Sequence, residues 1–213
     1  MKIGIIGSGG VATTLAAGFL NHGHEVTLGT REASKLADFV KANPTAKIAS
    51  MSEAAKFGDV VVLAVKGGAA EKALEVAGHA NLKGKTVIDV TNPIADAPPV
   101  NGVLKYFTTH DSSLMEQLQS KVPGAHFVKA FNSVGAPAMV NPVFKNGSHP
   151  TMFIAGNNAA AKAAVTTILD QFGWEAEDMG GADAARAIEP LCILWCIPGF
   201  ARNDWYHAFK MLR

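Results

Sequence analysis

Six consecutive residues, Gly7-Ser8-Gly9-Gly10-Val11-Ala12, have the composition of a turn that holds a pyrophosphate with its own backbone amides. In this G-x-G-x-x-A pattern Gly7 permits the tight turn, Gly9 removes the side chain that would keep backbone from the ligand, and Ala12 lets the next helix pack closely on a sheet. Further along, Gly29-Thr30-Arg31 occupies the place where an NAD-specific site carries an acidic residue for the ribose hydroxyl. A planar guanidinium beside a hydroxyl suits a 2′-phosphate instead. Lys35, four residues past Arg31, faces the same way if 33–40 is helical. Together these residues imply a site for NADP rather than NAD.

Such a turn works only between a buried strand and a helix, and the flanking residues supply both. Residues 2–6 are a short apolar run, and Leu15, Ala16, Phe19 and Leu20 recur at helical spacing after the turn. A second strand is expected at 25–28, a helix through Leu36, Phe39 and Val40 ending near Asn43-Pro44, a short strand at 47–49 and a brief helix from Ser52. The unbroken run 60–65 is the mark of a central strand buried on both faces, followed by strands at 86–90 and 127–131. Segment 93–113 is irregular, with Pro98-Pro99 and Asn101-Gly102 as turn signals, and reads as a mobile flap or a plain surface loop. Beyond it come a strand at 152–155, a helix at 158–172, a strand at 174–177 and an apolar helix at 187–195. The expected fold is α/β: a Rossmann-like, doubly wound, mainly parallel sheet with a small C-terminal α+β extension packed on it. The nucleotide-binding domain is assigned to 1–134, and the extension, completing the substrate cleft, to 135–213.

Ligands in such sheets bind beyond the carboxyl ends of the strands, which draws attention to Val65-Lys66-Gly67-Gly68, Asn92-Pro93 and Asn132-Ser133-Val134-Gly135. Asn92 is held extended by the proline after it. Lys129 and Asn132 are the best candidates for a proton donor, but their odd spacing on a strand turns them to opposite faces. Arg186 and Glu189, three apart on a helix, read as a surface ion pair.

Composition narrows the partners. With 19 basic and 18 acidic side chains among 213 residues, no field is available to attract nucleic acid or an anionic membrane. The chain passes at once into a strand, so no secretory signal is expected, and no apolar segment approaches the roughly 20 residues that cross a bilayer. The longest, around 191–201, is broken by Pro198, and a cytoplasmic protein is expected. Cys192 and Cys196, four apart on a helix without histidine partners, read as buried free thiols, and no metal site is expected.

The segments Gly7-Ser8-Gly9, Gly29-Thr30-Arg31, Ile88-Asp89-Val90-Thr91-Asn92-Pro93, Val128-Lys129-Ala130-Phe131-Asn132, Met152-Phe153-Ile154-Ala155-Gly156 and Ala185-Arg186-Ala187-Ile188-Glu189-Pro190 keep order and spacing over nearly the whole chain. In this combination the sequence resembles the deazaflavin-dependent NADP oxidoreductases, the NADPH-dependent reductases of coenzyme F420. The resemblance implies hydride transfer between NADPH and a flavin-like acceptor, often in a homodimer. It places Ser8, Gly9, Gly10 and Val11 on the pyrophosphate, Thr30, Arg31 and Lys35 on the 2′-phosphate, and Val65 and Ala69 at the adenosine and ribose. Asn92 joins this cofactor set, backbone from Asn132 to Ala136 meets the nicotinamide, and Asn132 and Ser133 face the substrate. No basic cluster that would grip the acidic tail of a deazaflavin is evident. Two other readings stay open: a carbonyl or imine reductase of the β-hydroxyacid dehydrogenase type, and a non-catalytic NADPH sensor. Arg31→Ala is expected to weaken NADPH by about 1.5–3 kcal/mol, the usual worth of a hydrogen bond to a charged group, and to leave NADH nearly untouched in calorimetric titration.

Overall fold

Alternation of side chains along the strands decides the layers. In β4 (Val60–Leu63), Val60 and Val62 belong to one apolar cluster and Val61 and Leu63 to the other, so both faces of the strand are covered. The same holds along β1 (Lys2–Ile6), where Ile3 and Ile5 face one cluster and Ile6 the other. With β2 (Glu25–Gly29), β3 (Lys47–Ala49), β5 (Thr86–Asp89) and β6 (His126–Lys129), these strands form a parallel sheet in the order β3-β2-β1-β4-β5-β6. The chain reverses direction across the sheet between β1 and β4, which is the crevice such folds use for ligands. The computed structural model describes residues 1–145 and 147–213.

One face of the sheet is packed by α1 (Gly10–Asn21), with Ala12, Leu15, Ala16 and Phe19 buried, and by a later helix through Val165, Ile168 and Leu169. After α2 (Ala37–Ala42), the other face receives α3 (Met51–Phe57), α4 (Gly67–Ala77), α5 (His79–Leu82) and α6 (Leu114–Lys121). Helix α3 starts one residue earlier than expected because Ser50 caps it: Glu53 N donates to Ser50 Oγ at 3.2 Å, and Ser50 N donates back to Glu53 Oε2 at 2.9 Å. Helices α4 and α6 go beyond the elements read from sequence.

The last third supplies β7 (Thr151–Ile154), α7 (Ala159–Gln171) and β8 (Glu175–Asp178), with β7 and β8 paired in parallel. Lys129 N donates to Ala155 O at 2.9 Å, joining this small sheet to the end of β6. A short α8 (Ala185–Ile188) and a longer α9 (Leu191–Arg202) end the order. Thr151 N donates to Phe209 O at 2.9 Å, so the C-terminal residues return along β7.

Three expectations are corrected. Segment 93–113, expected as a mobile flap or a plain surface loop, forms a hairpin arm with antiparallel bridges Ile94 to Tyr106 and Val100 to Val103, and the expected turn at Asn101 and Gly102, both at positive φ, is its tip. Pro198 does not break the apolar helix. Helix α9 continues through it to Arg202, and the helical run Ala182–Arg202 reaches 21 residues and contains an 18-residue window of mean hydropathy 1.3, by length and composition enough to cross a membrane. Arg186 and Glu189 are not a pair: Arg186 Nη2 lies 2.6 Å from Glu116 Oε1 on α6, while Glu189 is 1% exposed and turned inward.

Glu189 belongs to a buried cluster of charges. Lys129 Nζ donates to Thr91 O at 2.8 Å and lies 2.7 Å from Asp89 Oδ2 and 2.9 Å from Glu189 Oε1. The second negative charge is met by backbone: Leu114 N and Met115 N, at the start of α6, donate to Glu189 at 2.9 and 3.0 Å. Ser113 Oγ takes the next amide, from Glu116, so the first turn of α6 is supplied by side chains from two segments. Asp89 Oδ1 accepts from Thr91 N and Thr91 Oγ1 at 2.9 and 2.7 Å. Burial by itself favours the neutral amine of Lys129, but the charges of Asp89 and Glu189 and their hydrogen bonds outweigh it and hold its pKa above the ordinary lysine value.

Removing the cation strands two carboxylates in the interior, so Lys129→Met is expected to cost about 3–5 kcal/mol in urea unfolding; a loss under about 1 kcal/mol would show that the cluster is dispensable. Glu116 behaves differently. Its hydrogen bonds from Arg186, and then from Ser113, offset the effect of burial and draw its pKa down to about 2. A depressed carboxylate contributes stability that is complete above the unfolded value of 4.5 and lost as pH falls through about 2. The difference in Tm between the protein and its Glu116→Gln variant should therefore be widest above pH 4.5 and close toward pH 2.

Candidate functional site

At the carboxyl end of β1 the backbone turns through Gly7 with φ +144°, and a Cβ there would stand 2.2 Å from Ala64 O, so only glycine fits. Gly9 is the N-cap of α1, contributes no side-chain cap, and no acidic residue lies in the first turn. Space beside Gly9 and Gly10 is open to at least 4 Å where side chains would otherwise stand. The helix thus presents unclaimed amides and its positive end to open space at the surface, as a pyrophosphate requires. Ser8 and Thr30 meet across β1 and β2, with Thr30 Oγ1 donating to Ser8 Oγ at 3.1 Å, and Val11 stands half-buried behind them.

Arg31 is exposed at the end of β2 and forms no ion pair within 4 Å among the described residues. Lys35 lies in a 3-10 turn, Ala33–Leu36, and its Nζ is 2.8 Å from Glu32 Oε2. The hydrogen bond from Lys35 comes first among the causes that hold the Glu32 carboxyl below its usual range. That local pairing leaves the Arg31 guanidinium as the uncommitted cation of the two. The residues therefore fit a 2′-phosphorylated dinucleotide: an empty-handed helix start, a hydroxyl and a guanidinium occupy one edge of the crevice.

The loops after β4, β5 and β6 converge at the other end. A Cβ at Gly67 would stand 2.0 Å from Asn92 O, which shows how closely the first two loops are pressed together, with Val65 half-buried and Ala69 exposed beside them. Asn92 Nδ2 donates to Asn132 O at 2.8 Å, and Asn132 Nδ2 donates to Ile188 O at 2.9 Å and to Asn92 Oδ1 at 3.3 Å. Tyr106 Oη donates to Glu189 O at 2.8 Å and reaches Asn92 Oδ1 at 3.4 Å, tying the hairpin arm to the same knot. Burial and the surrounding groups push the Tyr106 pKa up, so the phenol stays protonated.

Asn132 and Ser133 are 3% and 5% exposed, so the loop they open offers mainly backbone to the crevice. Its direction is set by Phe131, which is fully buried at φ 60°, a conformation that costs a bulky residue about 1–3 kcal/mol and persists only where its surroundings enforce it. Ala136 follows half-buried at the start of a 3-10 turn, Ala136–Ala138. Asn132 Oδ1 is buried and has no hydrogen-bond partner among the described residues.

Every site residue expected from sequence thus lies on one rim of the sheet, the phosphate group of residues around β1 and β2 and the asparagine loops around β5 and β6. Sequence reasoning missed Asp89, Glu189 and Tyr106. The signal for the first two was present: each stands alone among apolar neighbours, as Lys129 does, in Ile88-Asp89-Val90 and Ile188-Glu189-Pro190. Cys192 and Cys196 are free and buried, as expected. Among the described residues no group of histidine, cysteine and carboxylate side chains could hold a metal ion.

Residues 2–93 match the family model for NADP oxidoreductase, coenzyme F420-dependent. The crystal structure of a proposed F420-dependent NADP reductase from Arthrobacter sp. FB24 is 33% identical, superposes with a TM-score of 0.94, and is covered over 100% of both chains. Metalloreductase STEAP3 of Rattus norvegicus is 30% identical over 202 residues, 92% of this chain but 38% of its own length. The chain therefore spans about two fifths of that relative. A reductive aminase from Aspergillus terreus, solved with NADPH and ethyl-5-oxohexanoate, shares the fold alone, at 20% identity and a TM-score of 0.69 over 93% of this chain and 62% of that one. On its full-length match, the chain belongs to the family of coenzyme F420-dependent NADP oxidoreductases.

Proposed function

We propose that this protein passes a hydride between NADPH and a planar, flavin-like ring, with a deazaflavin as the first candidate. NADPH when bound supplies the hydride; the acceptor ring gains that hydride and one solvent proton, and NADP⁺ remains, so charge and atoms balance. In this reading Gly7 to Val11 hold the pyrophosphate, Thr30 and Arg31 the 2′-phosphate with Lys35 beside them, and Val65, Ala69 and Asn92 border the ribose side. Backbone from Asn132 to Ala136 orients the nicotinamide. Residues 1–134 act as the cofactor-binding unit, and 135–213 close the cleft.

The observation that carries this reading is the condition of the groups best placed to donate a proton. Lys129 is 0% exposed and surrounded by three acceptors, and the Tyr106 hydroxyl is spent on Glu189 O. A carbonyl or imine substrate needs a positioned acid, whereas hydride transfer between two stacked rings needs proximity and exclusion of water. The likeness to a reductive aminase therefore speaks for shared architecture more than shared chemistry. The family supports a deazaflavin-like acceptor, and the name of the rat relative supports including a ferric chelate among those offered.

Stopped-flow oxidation of NADPH with deazaflavin, FMN, riboflavin, a ferric chelate and a cyclic imine in turn tests the proposal. Rapid oxidation by a planar tricyclic ring is expected. Oxidation by the imine alone would move the assignment to an imine reductase, and tight NADPH binding with no acceptor reduced would make the protein a sensor.

A further inference from the structure

An aromatic corner adjoins the loop from Asn132 to Ala136. Two indoles are seated there on glycines. A Cβ at Gly135 would stand 2.9 Å from the Trp195 ring, and a Cβ at Gly199 would stand 2.3 Å from the Trp205 ring. The two indoles are 5.8 Å apart between centroids, and Phe200 meets Trp205 edge-on at 5.1 Å.

The two rings have different fates. Trp195 is 7% exposed, donates its Nε1 to His207 O at 2.9 Å and stacks on the His207 ring, so it is a structural wedge. Trp205 is 40% exposed although its position is fully specified. Its Nε1 donates to Asn203 Oδ1 at 3.1 Å, and Asn203, in the left-handed region at φ 57°, ends α9 and swings the chain back so that the ring covers Gly199. The Trp205 carbonyl oxygen lies 3.5 Å from the position of a Gly135 Cβ, which puts the backbone of Trp205, and the Trp195 ring beside it, against the loop proposed to hold the nicotinamide. A rigid indole with an open surface offers a large apolar plane at little entropic cost.

Building on the proposed acceptor class, we propose that Trp205, backed by Trp195 and flanked by Phe200, is the stacking platform that selects a planar conjugated ring as the hydride acceptor. Selection by stacking needs no basic side chains, which accords with a chain whose sequence shows no cationic cluster for an acidic tail. It favours ring area over ring substituents, so neutral and anionic tricyclic rings should both be accepted.

Riboflavin is the suitable probe, because it has no phosphate with which to occupy the pyrophosphate turn. The intact protein, saturated with NADP⁺, is titrated with riboflavin by equilibrium dialysis for the unaltered chain, Trp205→Leu and Trp205→Phe. Stacking of one ring on an aromatic side chain is worth enough to weaken riboflavin about tenfold or more in Trp205→Leu, while Trp205→Phe should stay within about threefold. The Kd for NADP⁺ is expected to be unchanged in both, which also reports that they fold. Equal riboflavin binding by Trp205→Leu, no binding by the unaltered protein, or a parallel loss of NADP⁺ would overturn the platform. So would a change in sedimentation from dimer to monomer in Trp205→Leu, since the corner would then belong to a second copy. Riboflavin bound through Trp205 yet never reduced by NADPH would support the platform and sink the acceptor reading instead.

Discussion

Asp89, Lys129 and Glu189 come from three distant stretches of the chain and are sealed from water together, which leaves each dependent on the others. An isolated buried charge of this kind is untenable, so the three segments must arrive at one point or the fold fails. Their meeting fixes where β5 and β6 end, where the junction of α8 and α9 rests, and where α6 begins, since its first amides complete the solvation of Glu189. Buried ion pairs add little net stability compared with apolar packing, yet they tolerate no missing member. The cluster therefore acts as a register pin. Thr91, Asn92 and Asn132 follow within three residues of its members, and their positions are consequences of it.

The two ends of the crevice are built by opposite means. Around Gly7 and Gly9 the structure works by leaving things out: no side chain over the turn, no cap on α1, no acid in its first turn, so that amides remain available to an anion. Around Asn92 and Asn132 nearly every polar group is already committed to another part of the protein. One end is left open to solvate charge, and the other is closed by its own hydrogen bonds. In the proposed function, this division lets the phosphates supply binding energy away from the reacting atoms.

Local rules reached far into this fold. The strand, glycine turn and helix at the N-terminus, the doubly buried run of β4 and the strands β5 and β6 were legible because each signal lies within a few neighbouring residues: periodicity, β-branching, punctuation by glycine and proline. The positions of the glycine turn before α1 and of Arg31 at the end of β2 were legible for the same reason, since they lie in one contiguous supersecondary unit. The hairpin arm was not, apart from its turn, because it is held by isolated bridges rather than by strands with a periodic pattern. Nor was the passage of α9 through Pro198, where tertiary packing on Leu104, Tyr106 and Phe209 outweighs a local helix breaker.

Arg186 and Glu189 mark the boundary most clearly. Spacing of three on a helix makes them neighbours by local geometry, and the tertiary structure sends one outward to Glu116 and the other inward to Lys129. The sequence by itself determined the kind of sheet, the dinucleotide turn and the choice of a cation over an acid at the end of β2, because those depend on interactions between near neighbours. Which charges are buried, which asparagines bind each other and which tryptophan keeps an open face were decided only by the tertiary structure, because desolvation and partner choice depend on segments brought together from as far apart as residues 89 and 189.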